Sequence, residues 1–493
     1  MTESVALSRA SAEGGSRRIG AGTLVVAAAG CLAALTMGGW AIFGTTASPS
    51  KPGPPPPVGF GYWHTAGSVI EDSLNRPVRI AAVTWFGAES TTWVPGGLDF
   101  QPYTKIEDLV KKLGYNTIRL TFSDQMIQRN PIVRHWVRAN PKFRGLHALD
   151  VFDAIIRYAG KIGLKIILDD QRSAAAPATK KKVSSLEEEL WYTKKYPQRA
   201  WIADWELLTR RYLGNTTVVG LDLRNEPHTA LHGVPGPYTV KTYLRHGATW
   251  GPYHGVDNPA TDWRLAAEKA ADAVLTINNS LLVFVEGIEL YPDSDVRIAG
   301  NLLSCKRHVA STCVDNYWWG GILKQVRRYP VVLNEPGQLV YSPHEYGPNK
   351  WTFYGWWQRM TFRSLSAVFY QQWAFILHAH GMARHTPIFI GETGTCTNYT
   401  WCFALGPPRN VGGGGRCRYG STASAADIGR ICQGPWLHLL VHYLRIHPNI
   451  GWSFWALNGT NAIDSPTTDG LLNRHWTGVQ RPYIQRLLRS IQK

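Results

Sequence analysis

The sequence predicts an α/β fold, a (β/α)8 barrel with long insertions in its βα loops, from three observations. Eight short β-branched or apolar runs alternate with segments of helical, amphipathic spacing. No second Pro/Ser-rich linker and no tandem repeat interrupts residues 60–493, so that stretch reads as one domain, well above the ~250 residues of a plain barrel. The carboxyl ends of the eight runs carry carboxylates, amides and aromatics, and a barrel assembles its chemistry at those ends.

Three segments precede the barrel. Residues 1–18 are a basic leader ending in Arg17 and Arg18, and residues 19–43 are uncharged and apolar. A cleavable signal core is typically about 7–15 residues long, whereas a spanning helix needs roughly 20. The length favours an uncleaved transmembrane signal anchor over a signal peptide, and either one exports the domain. With the positive flank kept inside, the rest of the chain is expected at the cell surface or outside it. Residues 44–59 hold the run Ser48-Pro-Ser-Lys-Pro-Gly-Pro-Pro-Pro-Pro57, an extended tether.

The expected strands are Val78–Trp85, Thr117–Thr121, Lys165–Asp169, Val218–Asn225, Leu281–Glu286, Leu339–Tyr346, Ile388–Glu392 and Gly451–Trp455. Helical periodicity lies between them, as in Leu149–Lys161 with Val151, Phe152, Ile155, Ile156 and Ala159, and in Trp263–Leu275 with Leu265, Ala266 and Ala270. Ala174–Leu190, Thr229–Pro259 and Ser304–Trp319 read as long loops.

With 44% hydrophobic and 18% charged residues the chain can bury a core, which excludes wholesale disorder. The net charge of +17 has no basic helix, zinc finger or interleaved aromatic sheet behind it, so nucleic acid is not an expected partner. The 21 tryptophans are a stronger signal, because indole faces left wet need something to stack on, and sugars are the commonest such partner. Setting Cys31 aside leaves six cysteines, Cys305, Cys313, Cys396, Cys402, Cys417 and Cys432, an even number that suits disulfides in an exported domain. Their spacing offers no zinc site, and neither metal nor cofactor is expected.

In order, the strand ends present Trp85, Arg119, Asp169-Asp-Gln171, Asn225-Glu226, Glu286, His344 to Tyr346, Glu392 and Trp455. The sharpest signals are Asp222-Leu-Arg-Asn-Glu-Pro-His228 after the fourth run and Ile390-Gly-Glu-Thr-Gly394 after the seventh. Two carboxyl groups facing each other across a barrel mouth suit glycosidic bond cleavage, with one protonating the leaving oxygen and the other attacking the anomeric carbon or serving a water. A second Asn-Glu-Pro, at Asn334-Glu-Pro336, lacks a preceding strand and reads as loop.

Together with Pro77-Val-Arg-Ile-Ala-Ala-Val-Thr-Trp-Phe-Gly87, Leu113-Gly-Tyr-Asn-Thr-Ile-Arg-Leu120, Tyr317-Trp-Trp-Gly-Gly321, Leu339-Val-Tyr-Ser-Pro-His-Glu-Tyr346 and Ser453-Phe-Trp455, these motifs run in one order along nearly the whole domain. In that order the chain resembles glycoside hydrolase family 5, the cellulase family of clan A, and especially secreted bacterial endo-β-1,4-glucanases. The resemblance implies a monomeric, cofactor-free enzyme that cleaves β-glucan with retention and meets a membrane only through its N-terminal anchor. It implies Glu226 as general acid/base, its pKa held up by neighbouring negative charge, and Glu392 as nucleophile. Asn225 would bind the sugar 2-hydroxyl, and Arg119 would keep Glu392 ionised. His344 and Tyr346 would line the subsite, with Trp455 as its floor and Trp318, Trp319 and Trp85 extending an aromatic cleft. The chain departs from the family pattern at Gln171, where a histidine is usual, and at Arg224, a cation that either depresses the pKa of Glu226 or faces the barrel wall. Two other readings compete: a related β-glycanase acting on mannan or xyloglucan, and a weakly active carbohydrate-binding protein.

Overall fold

The structure is a computed structural model, and it describes residues 57–177, 190–228, 245, 247–252, 257–292, 314–347, 361–378, 385–395, 425–461, 467 and 469–493, with only the backbone for Pro292, 314–316 and 425–435. The leader, the apolar segment 19–43 and most of the tether lie outside these residues. So do most of the three long loops and all the barrel-domain cysteines except Cys432, whose side chain is not described. Among the described residues no helix is long and apolar enough to cross a membrane.

The strands are β1 (Ala81–Trp85), β2 (Thr117–Ser123), β3 (Lys165–Arg172), β4 (Val218–Asp222), β5 (Leu282–Val285), β6 in two pieces (Leu339–Tyr341 and His344–Tyr346), β7 (Phe389–Gly394) and β8 (Gly451–Phe454). All pair in parallel, β1 through β5 in sequence and β8 back onto β1. Closure depends on the broken sixth strand. Its first piece pairs with β5 and its second with β7, while Tyr341 N donates to Pro387 O at 3.1 Å and Gly391 N to Pro343 O at 3.1 Å. The eight expected strands are all present, several of them shifted by a few residues at their ends.

Parallel strands covered on both faces read as nearly continuous apolar runs, and β1, β4, β5 and β8 are buried throughout. Inside the barrel, Ile80, Ala82, Ile167, Val219, Leu282, Phe284, Val340 and Phe389 form a separate apolar cluster. Phe284 and Phe389, from strands that do not pair, meet edge to face at 5.0 Å. Gly220 makes room for this, since a Cβ there would lie 2.5 Å from the Phe284 ring. Trp63 and Ile70 of the antiparallel hairpin Trp63–Ala66/Val69–Asp72 join the cluster. The hairpin meets the amino ends of the strands, where Thr65 N donates to Gly337 O and Lys165 Nζ to Gly61 O.

Helices form the outer layer. Ala148–Lys161 buries the five apolar residues expected of it, and Trp263–Ile277 starts at Asp262, whose carboxylate accepts from Leu265 N at 3.4 Å. Among the described residues most of the tryptophans go into the core and not into a sugar cleft: eleven are fully buried, Trp85 among them. Several of their N–H groups donate to backbone carbonyls. Trp201 and Trp205 both donate to Leu223 O at 3.1 Å, and Trp263 donates to Glu286 O at 2.9 Å, which fixes the backbone where β4 and β5 end.

Glu345 points out of the barrel. Its carboxyl accepts from Tyr317 Oη at 2.9 Å and Trp373 Nε1 at 2.6 Å, and burial pushes its pKa up to about 8 from 4.5 despite those donors. Between these two values the folded protein holds a proton that the unfolded chain has released. The group's contribution to stability is therefore full below about 4.5 and is lost as pH rises toward 8. Glu345→Gln removes the titration, so the fall in Tm across that window is expected to be shallower than in the parent; equal slopes in a pH series of thermal melts would contradict this.

Candidate active site

The mouth is organised around Arg119, which projects from β2 and is fully buried. Its Nε bonds Asp222 Oδ2 at 2.8 Å, Nη1 bonds Glu392 Oε1 at 2.7 Å, and Nη2 reaches Asp169 Oδ1 at 2.9 Å, Glu286 Oε1 at 3.2 Å and Asn225 Oδ1 at 3.2 Å. Single oxygens of Asp169, Asp222 and Glu286 lie within 4.8 Å of one another, and the guanidinium supplies the cation on which they converge. One positive charge cannot balance so many buried carboxylates. Burial raises Asp169 well above the ordinary carboxylate range, with Arg119 opposing, and lifts Glu286 to about 8.

Glu226, just past β4, and Glu392, in β7, come together above this cluster. One carboxylate oxygen of each and a ring nitrogen of His344 lie within 4.8 Å of one another. Both oxygens of Glu392 are held, Oε1 by Arg119 and Oε2 by Tyr346 Oη at 2.6 Å. His344 Nδ1 lies 3.0 Å from Glu226 Oε1, and its Nε2 lies 3.0 Å from Glu286 Oε1. Burial pulls His344 down, but the charges of Glu286 and Glu392 and its bonds to Glu226 and Glu286 hold it well above the usual histidine value. The ring therefore bridges the Glu226 and Glu286 carboxyl groups, and the acidic groups around it favour its charged form. Gly391 leaves room for it, because a Cβ there would lie 2.4 Å from Ser342 Oγ and 3.0 Å from His344 Nε2.

Glu226 has φ +49°, in the left-handed region. For a residue with a side chain this costs of order 1–3 kcal/mol and persists only when its surroundings dictate it. Here the Glu226 N–H donates to Glu286 Oε2 at 2.6 Å, and its carbonyl accepts from His228 Nδ1 at 2.6 Å. Asn225 N donates to Asp170 O at 2.9 Å, so the chain leaves the β4 ladder at Asp222, three residues before the sequence reading ended it.

The remaining expectations divide. Trp455 is half-buried, stacks on Phe86 at 5.2 Å, and with Phe86, Asn461, Thr467 and Asp469 lines a cavity of about 270 Å³. Trp319 is half-buried and lies flat on His228. Trp318 is buried, with its ring at an edge-on angle 6.0 Å from Tyr346, so it packs behind that residue. Trp85 is core, its indole donating to Gly96 O, and extends no cleft. Gln171 is half-buried on β3, two residues past Asp169, and its Oε1 is buried with no hydrogen-bond partner among the described residues. Arg224 faces the barrel wall, bonding Asp170 Oδ2 at 3.2 Å. The second Asn-Glu-Pro is exposed at the opposite end of the barrel, before β6. Sequence reasoning did not assign Asp169 and Asp222 as partners of Arg119.

Residues 77–461 match the family described as cellulase (glycosyl hydrolase family 5). The chain is 34% identical over 439 residues to an endoglucanase of Paenibacillus polymyxa, covering 88% of this chain and 87% of that one. It is 28% identical over 435 residues to the major extracellular endoglucanase of Xanthomonas campestris pv. campestris, covering 88% and 71%. Among solved structures, the hyperthermophilic endocellulase of Pyrococcus horikoshii superposes with a TM-score of 0.66 at 26% identity, over 89% of this chain and 100% of that one. A cellotetraose complex of that endocellulase gives 0.64 at 26% identity over the same shares. Motif order, barrel closure and the match across most of the domain agree, and the chain belongs to glycoside hydrolase family 5, the cellulase family.

Proposed function

We propose that the chain is a retaining endo-β-1,4-glucanase acting on cellulose or related β-glucans. The observation that carries this reading is the convergence of Glu226 and Glu392 within 4.8 Å at the ends of β4 and β7. Retaining glycosidases hold their two carboxyl groups about 5–5.5 Å apart, whereas inverting ones leave about 6.5–9.5 Å for a water. Glu392, held through both oxygens, attacks the anomeric carbon while Glu226 gives its proton to the departing oxygen. A covalent glycosyl-enzyme forms, and Glu226 then takes a proton from the water that releases the sugar. The bonds from Arg119 and Tyr346 leave Glu392 little rotational freedom, which favours a pre-aligned nucleophile. Asn225 gives its Oδ1 to Arg119, which leaves its NH2 as the donor for a sugar hydroxyl. The substrate class follows the relatives named endoglucanases and the cellotetraose-bound endocellulase. Export follows the basic leader and apolar segment, together with the extracellular relative.

On barley β-glucan and carboxymethyl-cellulose, Glu226→Gln and Glu392→Gln are each expected to lower reducing-sugar release by at least about 10²-fold. Parent-like rates in either variant would remove that residue from the mechanism. Arg119→Met leaves buried carboxylates without their cation, so a stability loss of about 3–5 kcal/mol by denaturant unfolding is expected together with loss of turnover. Retention of both would mean that the cluster does not depend on the guanidinium.

The binding-protein reading rests on Gln171, an amide that can exchange hydrogen bonds but cannot titrate. Gln171→His is expected to change the pH profile on β-glucan with less than about a tenfold change in its maximum, because Glu226, Glu392, Arg119 and Asn225 are already assembled. A gain beyond that would favour a protein kept nearly inactive by its glutamine.

A further inference from the structure

The His228 ring lies parallel to the indole of Trp319, with centroids 3.9 Å apart and 2° between the planes. The same ring, through Nδ1, contacts Glu226 O at 2.6 Å. A carbonyl can only accept, so Nδ1 carries the hydrogen and the tautomer is fixed by this bond. His228 is buried, with 8% exposure, whereas Trp319 is half-buried. Trp319 is also tied down from the β5 side, where Gly287 N donates to Gly320 O at 2.8 Å, directly after the Glu286 whose carboxylate accepts from Glu226 N. Both backbone polar groups of Glu226, held at positive φ, therefore lead to the segment carrying Trp319: the N–H through Glu286, the carbonyl through His228.

From this arrangement we infer that His228 is a positioning residue that locks the indole of Trp319 and the backbone of Glu226 into one unit on the leaving-group side of the cleft. The inference rests on the proposed role of Glu226 as proton donor. A departing sugar that lies against Trp319 then meets a carboxyl group whose main chain is fixed by the ring beneath that same indole. Trp455, next to its own cavity and hydrogen-bonded through its N–H to Thr393 O at 2.7 Å in β7, belongs to the Glu392 side. His228 touches no reacting atom; its effect is confined to the step in which the leaving oxygen needs a proton and a sugar is held on the indole.

Two variants separate the two contacts. His228→Phe keeps an aromatic face for Trp319 and loses the N–H donor, and His228→Asn keeps a donor and loses the face. Each is assayed on cellopentaose, whose leaving sugar needs both protonation and a binding surface, and on 2,4-dinitrophenyl β-cellobioside, whose leaving group needs neither. For His228→Phe the expected result is a fall in kcat on cellopentaose at least about tenfold larger than on the aryl cellobioside, with KM changed little. For His228→Asn it is a rise in cellopentaose KM of about tenfold that the aryl substrate does not share. Thermal melts of both proteins accompany the assays; His228→Gln, a second donor variant, replaces His228→Asn if that fails to fold, and His228→Met, apolar and without a donor, replaces His228→Phe. Parallel losses on both substrates, or no loss on either, would overturn the inference. Glu226→Gln is run beside them: if it too hydrolyses cellopentaose normally, the fault lies with the role given to Glu226, whereas a dead Glu226→Gln beside a normal His228→Phe sinks the coupling alone.

Discussion

One buried guanidinium holds the mouth of this barrel together. Arg119 gathers carboxylates from β3, from the ends of β4 and β5, and from β7, a strand that pairs with none of those three. A fork of fixed N–H directions suits this task, because each donor selects one oxygen and so sets the rotation of the residue that carries it. Buried charge is costly, and the cluster meets the cost in two ways. The attraction of Arg119 offsets part of it, and burial, which raises Glu286 to about 8, favours the neutral form and so lowers the remainder.

Glu286 links this foundation to the chemistry above it. Its Oε1 faces both Arg119 and His344, and its Oε2 takes the N–H of Glu226. Glu286 thus orients the His344 ring and dictates the backbone at Glu226. The positive φ there is a consequence of this bond and of the one from His228, and it turns Glu226 out of the ladder toward Glu392. The strain is local, and the tryptophan N–H groups on Leu223 O and Glu286 O secure the backbone on either side of it.

The fold was legible because a parallel barrel writes itself as short, fully apolar runs, and every one of the eight was visible. The closure was not legible, since nothing in Leu339–Tyr346 says that Ser342 and Pro343 split the strand so that one half pairs with β5 and the other with β7. At the site, the motifs around Glu226, Glu392, His344 and Tyr346 gave residue positions, while their distances depended on contacts among four strands. The tryptophans were the poorest guide. Indole is both a large apolar body and a hydrogen-bond donor, so it serves a core that must hold backbone carbonyls as well as it serves a sugar surface, and composition does not distinguish the two uses.

The two departures from the family pattern have different physical weight, and strand geometry explains why. The pairing of β2 with β3 shifts register at Gln171, with Asp170 opposite Phe122 and Arg172 opposite Ser123. Asp170 pairs with Arg224 at 3.2 Å, so the charge just before Asn225 meets an opposite charge on β3. Gln171 sits at that shift and has a buried Oε1 with no hydrogen-bond partner among the described residues. An amide there adds no charge to a mouth already crowded with carboxylates, and it leaves Arg119 and His344 as the cations that contact Glu226 and Glu392. The burden of stabilising negative charge falls on those two, one permanently charged and the other held charged by the carboxylates it bridges.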